Sequence, residues 1–468
     1  MERAGRPISP ERAVLVVSHD RVGAQMAGPG IRYWELARVL ARHLPVVLAA
    51  PGEIDLAADG LHLWPYTPRQ WETLAPAVEG AQAILLCGDV LDWFPALRES
   101  ATPLVVDGYD PHPLETLALF AGTDEQAERH WERERILQLQ ARAGDFFVCA
   151  SERQRDWWLG LLEAAGRVNV HTHGEDPSLR RLVDVVPFGL PASPPRYGQQ
   201  AIKGVWPGVG AEDRLLLWGG GLWQWLDPLT AIRAVARVRV QRPDVRLVFP
   251  GTRHPNRAAI PDMPMRRAAL TLAEELELLD RHVFFGEWVP RAAWPSVLLE
   301  ADVGLSLHFD TVETRLAFRS RLLDYVWAGL PMVVSGGDAS SEIVARFGLG
   351  EVVGCEADEA VAAALLHLLE RPRQSFSRRF ERARAGLTWE RAAEPLLAFC
   401  RQPRRAPDKV RGLPLPPAAR ASSPQRGPER DAPAAVEIAR LQALVADYER
   451  GRFMRLMRWL HDLRQRRR

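Results

Sequence analysis

HFDTVETRLAFRSRLLDYVWAGLPMVVSGGD, residues His308–Asp338, is the stretch whose reading decides the fold. It follows an apolar run, Val303–Leu307, that reads as a buried strand, and its spacing predicts a helix from about Arg315 to Trp327. Ala328-Gly-Leu-Pro331 stops that helix, since glycine accepts a left-handed closing residue and proline cannot continue the turn. A second apolar run, Met332–Val334, follows at once. Carboxylates from Asp310, Glu313 and Asp324 can accept hydrogen bonds from the vicinal hydroxyls of a sugar or ribose. Guanidinium groups from Arg315, Arg319 and Arg321 can clamp a diphosphate. A solvent-facing helix with i,i+4 charge pairs would carry similar residues. The position directly after a strand end, and the abrupt stop, favour a ligand edge.

Outward from this segment the same alternation covers most of the 468 residues. Strand candidates in the first half are Ala13–Val17, Val46–Ala49, Ala83–Cys87, Leu104–Val106, Phe146–Ala150 and Val183–Val186, with helices between them, the longest over Asp124–Ala143. Val185-Val-Pro-Phe-Gly-Leu-Pro-Ala-Ser-Pro-Pro195 reads as a hinge. The pattern then restarts with Leu215–Trp218, Val245–Phe249, Val283–Phe285, Val303–Leu307, Met332–Val334 and Glu351–Val353. Two doubly wound α/β domains are therefore expected, 1–190 and 191–400. Residues 401–433, rich in proline and arginine, are expected to form a disordered linker. Leu441, Leu444, Tyr448, Leu456, Trp459 and Leu463 then fall on one face of a basic amphipathic helix over 434–468.

Composition narrows the function classes. With 47% apolar and 25% charged residues the chain is globular, and no apolar run reaches the ~18 residues of a membrane span. A net charge of +1 argues against broad nucleic-acid binding. The four cysteines, Cys87, Cys149, Cys355 and Cys400, have no metal-ligand or disulfide spacing and are expected as reduced thiols. Met1–Pro10 lacks the apolar core of a secretory signal, so a cytoplasmic location is expected. Lysine is confined to Lys203 and Lys409. A phosphate site must then be built from arginine, backbone N–H groups or helix N-termini.

Two glycine loops follow strands, Gly28-Pro-Gly30 and Gly219-Gly-Gly221, and neither matches the dinucleotide fingerprint. As a pair they place backbone N–H groups at the carboxyl edges of two sheets, where ligands of open α/β sheets bind. Asp107-Gly-Tyr-Asp-Pro-His112 follows a first-domain strand and offers Asp110 and His112 to the same edge, or forms only an Asx-turn. His171-Thr-His173, in a polar loop, has no third ligand in view, and no metal is expected. Trp223, Trp225, Trp288 and Trp294 are candidates for stacking on a sugar or base, or for packing.

Leu322-Leu-Asp-Tyr-Val-Trp-Ala-Gly-Leu-Pro-Met-Val-Val334 resembles the donor-site helix of family 4-like glycosyltransferases (glycosyl transferases group 1). Val185-Val-Pro-Phe-Gly-Leu-Pro191 is similar to their interdomain hinge, Leu217–Pro228 to the opening of their donor domain, and Met26–Ala37 to an acceptor-side loop and helix. The resemblance spans about residues 13 to 400. It implies an α/β GT-B fold, two Rossmann-like doubly wound domains facing a cleft, here followed by the linker and terminal helix. It further implies a glycosyltransferase that is retaining and metal-independent, without a cofactor, its nucleotide-diphosphate sugar being a substrate. The acceptor is expected to be a glycan or lipid-linked, in surface polysaccharide synthesis. Gly219, Gly220, Gly221, Arg315, Arg319, Arg321 and Asp324 are then the donor-binding set. Asp110, His112 and Glu313 are the catalytic candidates, and Gly28, Gly30 and Arg32 form the acceptor-side loop. The family's carboxylate pair, Glu-x7-Glu, is broken here: Asp324 holds the second place and Leu316 the first, so Glu313 or Asp310 is the expected replacement. Gly220 stands where the family has arginine, and no lysine follows. These departures keep two rivals open, a catalytically degenerate GT-B scaffold that binds a partner enzyme and a nucleotide-sugar epimerase. The terminal helix would serve self-association or peripheral contact with the inner membrane face.

Overall fold

The computed structural model describes residues 12–57, 60–252 and 263–412. The chain divides into two compact units, Met1–Leu413 and Pro414–Arg468, and the described residues all lie in the first. The expected helix over 434–468 and the linker beyond 412 lie outside the described residues.

Thirteen strands form two parallel sheets. β1 (Ala13–Val17), β2 (Val46–Pro51), β3 (His62–Tyr66), β4 (Ala81–Leu86), β5 (Leu104–Asp107), β6 (Phe146–Cys149) and β7 (Val183–Val185) lie in the order 3-2-1-4-5-6-7. β8 (Arg214–Trp218), β9 (Val245–Pro250), β10 (Val283–Gly286), β11 (Val303–Ser306), β12 (Met332–Ser335) and β13 (Gly350–Val353) lie in the order 10-9-8-11-12-13. In each sheet the chain starts near the middle, winds outward, returns and winds the other way. Their strands are apolar on both faces because helices cover both. Along β1, Val14 and Val16 join one core while Ala13, Leu15 and Val17 join the other, as a period of two requires.

β3 escapes a reading by apolar runs. His-Leu-Trp-Pro-Tyr sits at the sheet edge with its Pro65 exposed, a place where a missing backbone N–H does no harm. The predicted Arg315–Trp327 helix is two helices, Val312–Leu316 and Arg321–Ala328. Ala317 turns extended between them (ψ 153°), and the Arg319 N–H donates to Ser340 Oγ at 2.7 Å instead of continuing a helical ladder. Gly329 closes the second helix in the left-handed conformation, as Gly-Leu-Pro implied. The Gly28-Pro-Gly30 loop is not a loop. It forms the first turn of a helix over Gly28–Ala41, with Pro29 in the first-turn position that its ring geometry suits. His171 and His173 likewise lie on a short helix, Val170–Glu175.

The expected hinge carries the chain between lobes, but the chain also comes back. Leu190 pairs with the backbone of Leu387 and Trp389, so the outward and return crossings run side by side. A Cβ on Gly189 would lie 2.5 Å from Trp389 backbone atoms, so no larger residue fits that crossing. From Trp389 onward the chain packs on the first lobe. Trp389, Leu396, Phe399 and Cys400 enter its core, and Phe399 stacks on Phe146 at 4.8 Å. The expected boundary at 400 therefore falls too late, and a linker starting at 401 starts too early. Asp408, fully buried, holds Arg167 at 2.6 Å, and Lys409 reaches Asp145 at 3.2 Å. Breaking a buried pair by removing one partner strands the other's charge, typically at about 3–5 kcal/mol. Asp408→Ala is therefore expected to lower the denaturant midpoint by an amount in that range, followed by tryptophan fluorescence. An unchanged midpoint would show that this return segment does not brace the first lobe.

Candidate functional site

Between the carboxyl edges of the two sheets lies a cleft of about 1180 Å³. Its second-lobe wall is formed by the loop after β8, the loop after β10 and the start of the Arg321–Ala328 helix. Tyr325 assembles this wall. Its fully buried hydroxyl accepts the Gly219 N–H at 2.7 Å and lies 3.0 and 2.9 Å from the carbonyls of Leu217 and Leu305, so one side chain joins β8, β11 and the helix. Gly220 takes a φ of +90°, which turns the loop over toward Arg321 in a conformation that side chains resist.

Arg321 lines the cleft with its guanidinium 5.4 Å over the Trp218 ring. Burial pushes its pKa down to about 10. It pairs with no carboxylate within ion-pair distance among the described residues, and its Nη1 finds no hydrogen-bond partner. A half-buried cation without a counter-ion is a poor structural choice and a good anion receptor. Three residues on, Asp324 lines the same wall and accepts a hydrogen bond from Trp294 Nε1 at 2.9 Å. Burial raises its pKa to about 6, against the opposing effects of Trp294, Arg291 and Arg321. Trp223 and Trp225 stack in parallel at 5.3 Å and, with Trp288 and Trp294, line the second-lobe side.

The first-lobe wall is built at the ends of β1, β4 and β5. Asp110 and His112 both line the cleft, joined by His19 and Glu115. Burial followed by the Glu115 charge raises Asp110 well above the carboxylate range. Burial opposes charge on His112, but hydrogen bonds with Cys87 and Glu115 and the Asp110 charge outweigh it, so its pKa also rises well above the usual value. The Cys87 thiol beneath is raised by burial and lowered more strongly by His112 and His19, to about 7. These groups form one cluster of electrostatically linked titratable side chains facing the cleft, with His112 Nδ1 3.7 Å from Glu115. Donor atoms of Asp110, His112 and Glu115 all lie within 4.8 Å of one another, a spacing that could also hold a cation. His171 and His173 join no such group among the described residues.

Five of the expected site residues do not line the cleft. Arg32 is fully buried, with Nε 2.6 Å and Nη2 2.8 Å from the Asp107 carboxylate and Nη2 2.8 Å from the Val186 carbonyl. It is sandwiched between Tyr109 and Phe188, tying β5 to the outward crossing behind the cleft. Glu313 and Arg319 are buried and pair with each other at 2.7 and 3.0 Å, and neither lines the cleft. The break at Ala317 turns that pair inward, so Glu313 does not replace the carboxylate missing at Leu316. Arg315 is exposed, outside the cleft. Gly28 lines the cleft, whereas Gly30 serves packing, a Cβ there lying 2.3 Å from the Arg21 carbonyl. Both lysines are engaged elsewhere, Lys203 with Asp302 at 2.8 Å and Lys409 with Asp145. His19 and Arg291 were not found from sequence. Each stands just beyond a strand's carboxyl end, Ser18-His19-Asp20 after β1 and Arg291 after β10, and that placement was the available signal.

The raised pKa of Asp324 makes a stability prediction. Between the unfolded value near 3.8 and the folded value of about 6 the native state binds the extra proton, so stability falls as pH rises through that window. Asp324→Asn removes this loss. The variant should match the wild type near pH 4 and exceed it by about 1 kcal/mol above pH 6, after allowance for solvent screening. Equal thermal midpoints across the range would mean that the carboxylate is not destabilised by its site.

No protein-family model matches the sequence, and no curated protein is similar to it. Solved structures are similar. Sucrose-phosphate synthase from Thermosynechococcus elongatus superposes with a TM-score of 0.58 at 16% identity, over 84% of this chain and 99% of its own. WaaG, a glycosyltransferase involved in lipopolysaccharide biosynthesis, gives 0.54 at 17% identity, over 85% of this chain and 100% of its own. HepE from Anabaena, in complex with UDP and glucose, gives 0.55 at 13% identity, over 84% and 98%. At these identities the likeness establishes architecture, and the chain has the GT-B fold.

Proposed function

We propose that this chain is a glycosyltransferase that binds a nucleotide-diphosphate sugar against the second lobe and an acceptor hydroxyl against the first. The observation that carries the reading is the unpaired Arg321 guanidinium beside the Gly219–Gly221 backbone, three residues before Asp324. A diphosphate would satisfy the arginine and the N–H groups of Gly220 and Gly221 together, and Asp324 would take sugar or ribose hydroxyls. HepE, of similar fold, was solved with UDP and glucose, a nucleoside diphosphate and a sugar of the kind proposed here. On the same reading the transfer is retaining and metal-independent, and Arg321 stabilises charge on the departing diphosphate. Asp110 and His112 face the acceptor side, where their cluster of titratable groups would orient the incoming hydroxyl. A glycan or lipid-linked acceptor, a role in surface polysaccharide synthesis and a cytoplasmic or membrane-peripheral site complete the proposal. A scaffold without catalysis is the second reading, favoured by Leu316 and by the inward Glu313–Arg319 pair.

A thermal-shift screen against nucleoside diphosphates and their sugars decides between them. Wild-type protein should be stabilised by one nucleotide, by about 2.7 kcal/mol at a hundredfold excess over Kd. Arg321→Ala should weaken that binding by about 10- to 100-fold, the loss of a charged hydrogen bond. His112→Ala should lower transfer rate by about 10²–10⁴ while leaving donor affinity unchanged. No stabilisation by any nucleotide would exclude the donor site and leave the scaffold.

A further inference from the structure

The cleft holds a second second-lobe arginine that the donor reading does not yet use. Arg291 follows β10 and lines the cleft together with Gly220, Arg321 and Asp324. In this structure its guanidinium is engaged by Glu35, which sits on the Gly28–Ala41 helix of the opposite lobe, and its backbone N–H lies 3.5 Å from the Ala24 carbonyl. Glu35 is 7% exposed and is also 3.4 Å from Arg38, so it keeps a positive neighbour if Arg291 departs.

We propose that Arg291 is a donor-binding residue held in reserve: Glu35 occupies its guanidinium in the free protein, and the diphosphate of the donor takes it over on binding. The inference rests on the donor site described above. Charge balance motivates it. A nucleoside diphosphate brings at least two negative charges, whereas among the described residues Arg321 is the one uncompensated guanidinium on that wall, and the glycine loop contributes none. Both lysines are committed elsewhere. Arg129 and Arg133 also line the cleft, but they belong to the first lobe and face Glu125 and Asp89 there. Among the described residues Arg291 is the other arginine that shares the wall with Arg321, and it lies close enough to Asp324 for its charge to stabilise that carboxylate. Exchanging one anion for another leaves the arginine paired throughout, so the takeover exposes no bare charge. Glu35 then acts as an internal competitor for the donor.

Two substitutions that break the same ion pair separate this role from that of a simple interlobe tie. Calorimetric titration with UDP, ADP and GDP in turn would be run on wild type, Arg291→Ala and Glu35→Gln, each first shown to be folded by its thermal midpoint. Arg291→Ala should weaken binding of the nucleotide by about tenfold, the worth of one charge-assisted contact. Glu35→Gln, which removes the competitor and keeps its shape, should strengthen binding about threefold or more. Opposite signs support the proposal, and Arg291→Lys should recover part of the affinity. Shifts of the same sign, or no effect of Arg291→Ala, would overturn it and leave Arg291 as a tie between lobes. Failure of the wild type to bind any of the three would overturn the donor reading itself, and this inference with it.

Discussion

The hydroxyl of Tyr325 is the point on which the second-lobe wall depends. It lies within hydrogen-bonding distance of three backbone groups from β8, the loop after it and β11, all out of reach of water. A phenol can accept from one N–H and donate to one carbonyl at a time, so the Leu217 and Leu305 carbonyls share its single proton. Phenylalanine would leave the Gly219 N–H buried without an acceptor, a loss of about 1–3 kcal/mol. More than stability is at stake. Arg321 and Asp324 sit on the same helix as Tyr325, so the bond that anchors the loop also fixes their distance from it. The wall is registered against the sheet by one atom.

The first lobe solves a different problem, that of holding charge in an apolar sheet end. Arg32 and Asp107 pair with each other in full burial, two aromatic faces close over the guanidinium, and neither residue lines the cleft. Asp110, His112 and Glu115, one turn of chain further out, face the opening as a loosely paired cluster, with His112 and Glu115 3.7 Å apart. The contrast repeats in the second lobe, where Glu313 and Arg319 neutralise each other inside while Arg321 stays unmatched at the surface of the cleft. In both lobes the ion-paired arginine is buried off the cleft, while Arg321 and the cluster around His112, which face the opening, have no such pairing.

This contrast explains what was legible in the sequence. Apolar runs announced twelve of thirteen strands, because a strand buried on both faces has no polar alternation to obscure it. Only the edge strand with Pro65 was silent. Gly329 and Pro331 marked a helix end correctly, since their backbone preferences act locally. Arginine function was not legible. Arg319 and Arg321 are two residues apart in equivalent local sequence, and a single extended residue at Ala317 sends one inward and leaves the other at the cleft. Pairing of that kind is decided by neighbours 6 residues away for Arg319 and Glu313 and 256 away for Arg291 and Glu35. The return of the chain after Leu387 was equally hidden, because helices with apolar faces pack as well on one lobe as on the other.

That return has a consequence for how the protein is made. The first lobe is discontinuous: its sheet is finished by Val185, yet Trp389, Phe399 and Asp408 that complete its core lie beyond the whole second lobe. A ribosome delivers chain from the N-terminus, and domains ordinarily fold as they emerge. Here the leading lobe waits with the Phe146 face uncovered and Arg167 uncompensated until more than two hundred further residues have been added. The second lobe, continuous in sequence, can close first. The stretch that seals the leading lobe thus leaves the ribosome only after the whole of the cleft's other wall has been synthesised.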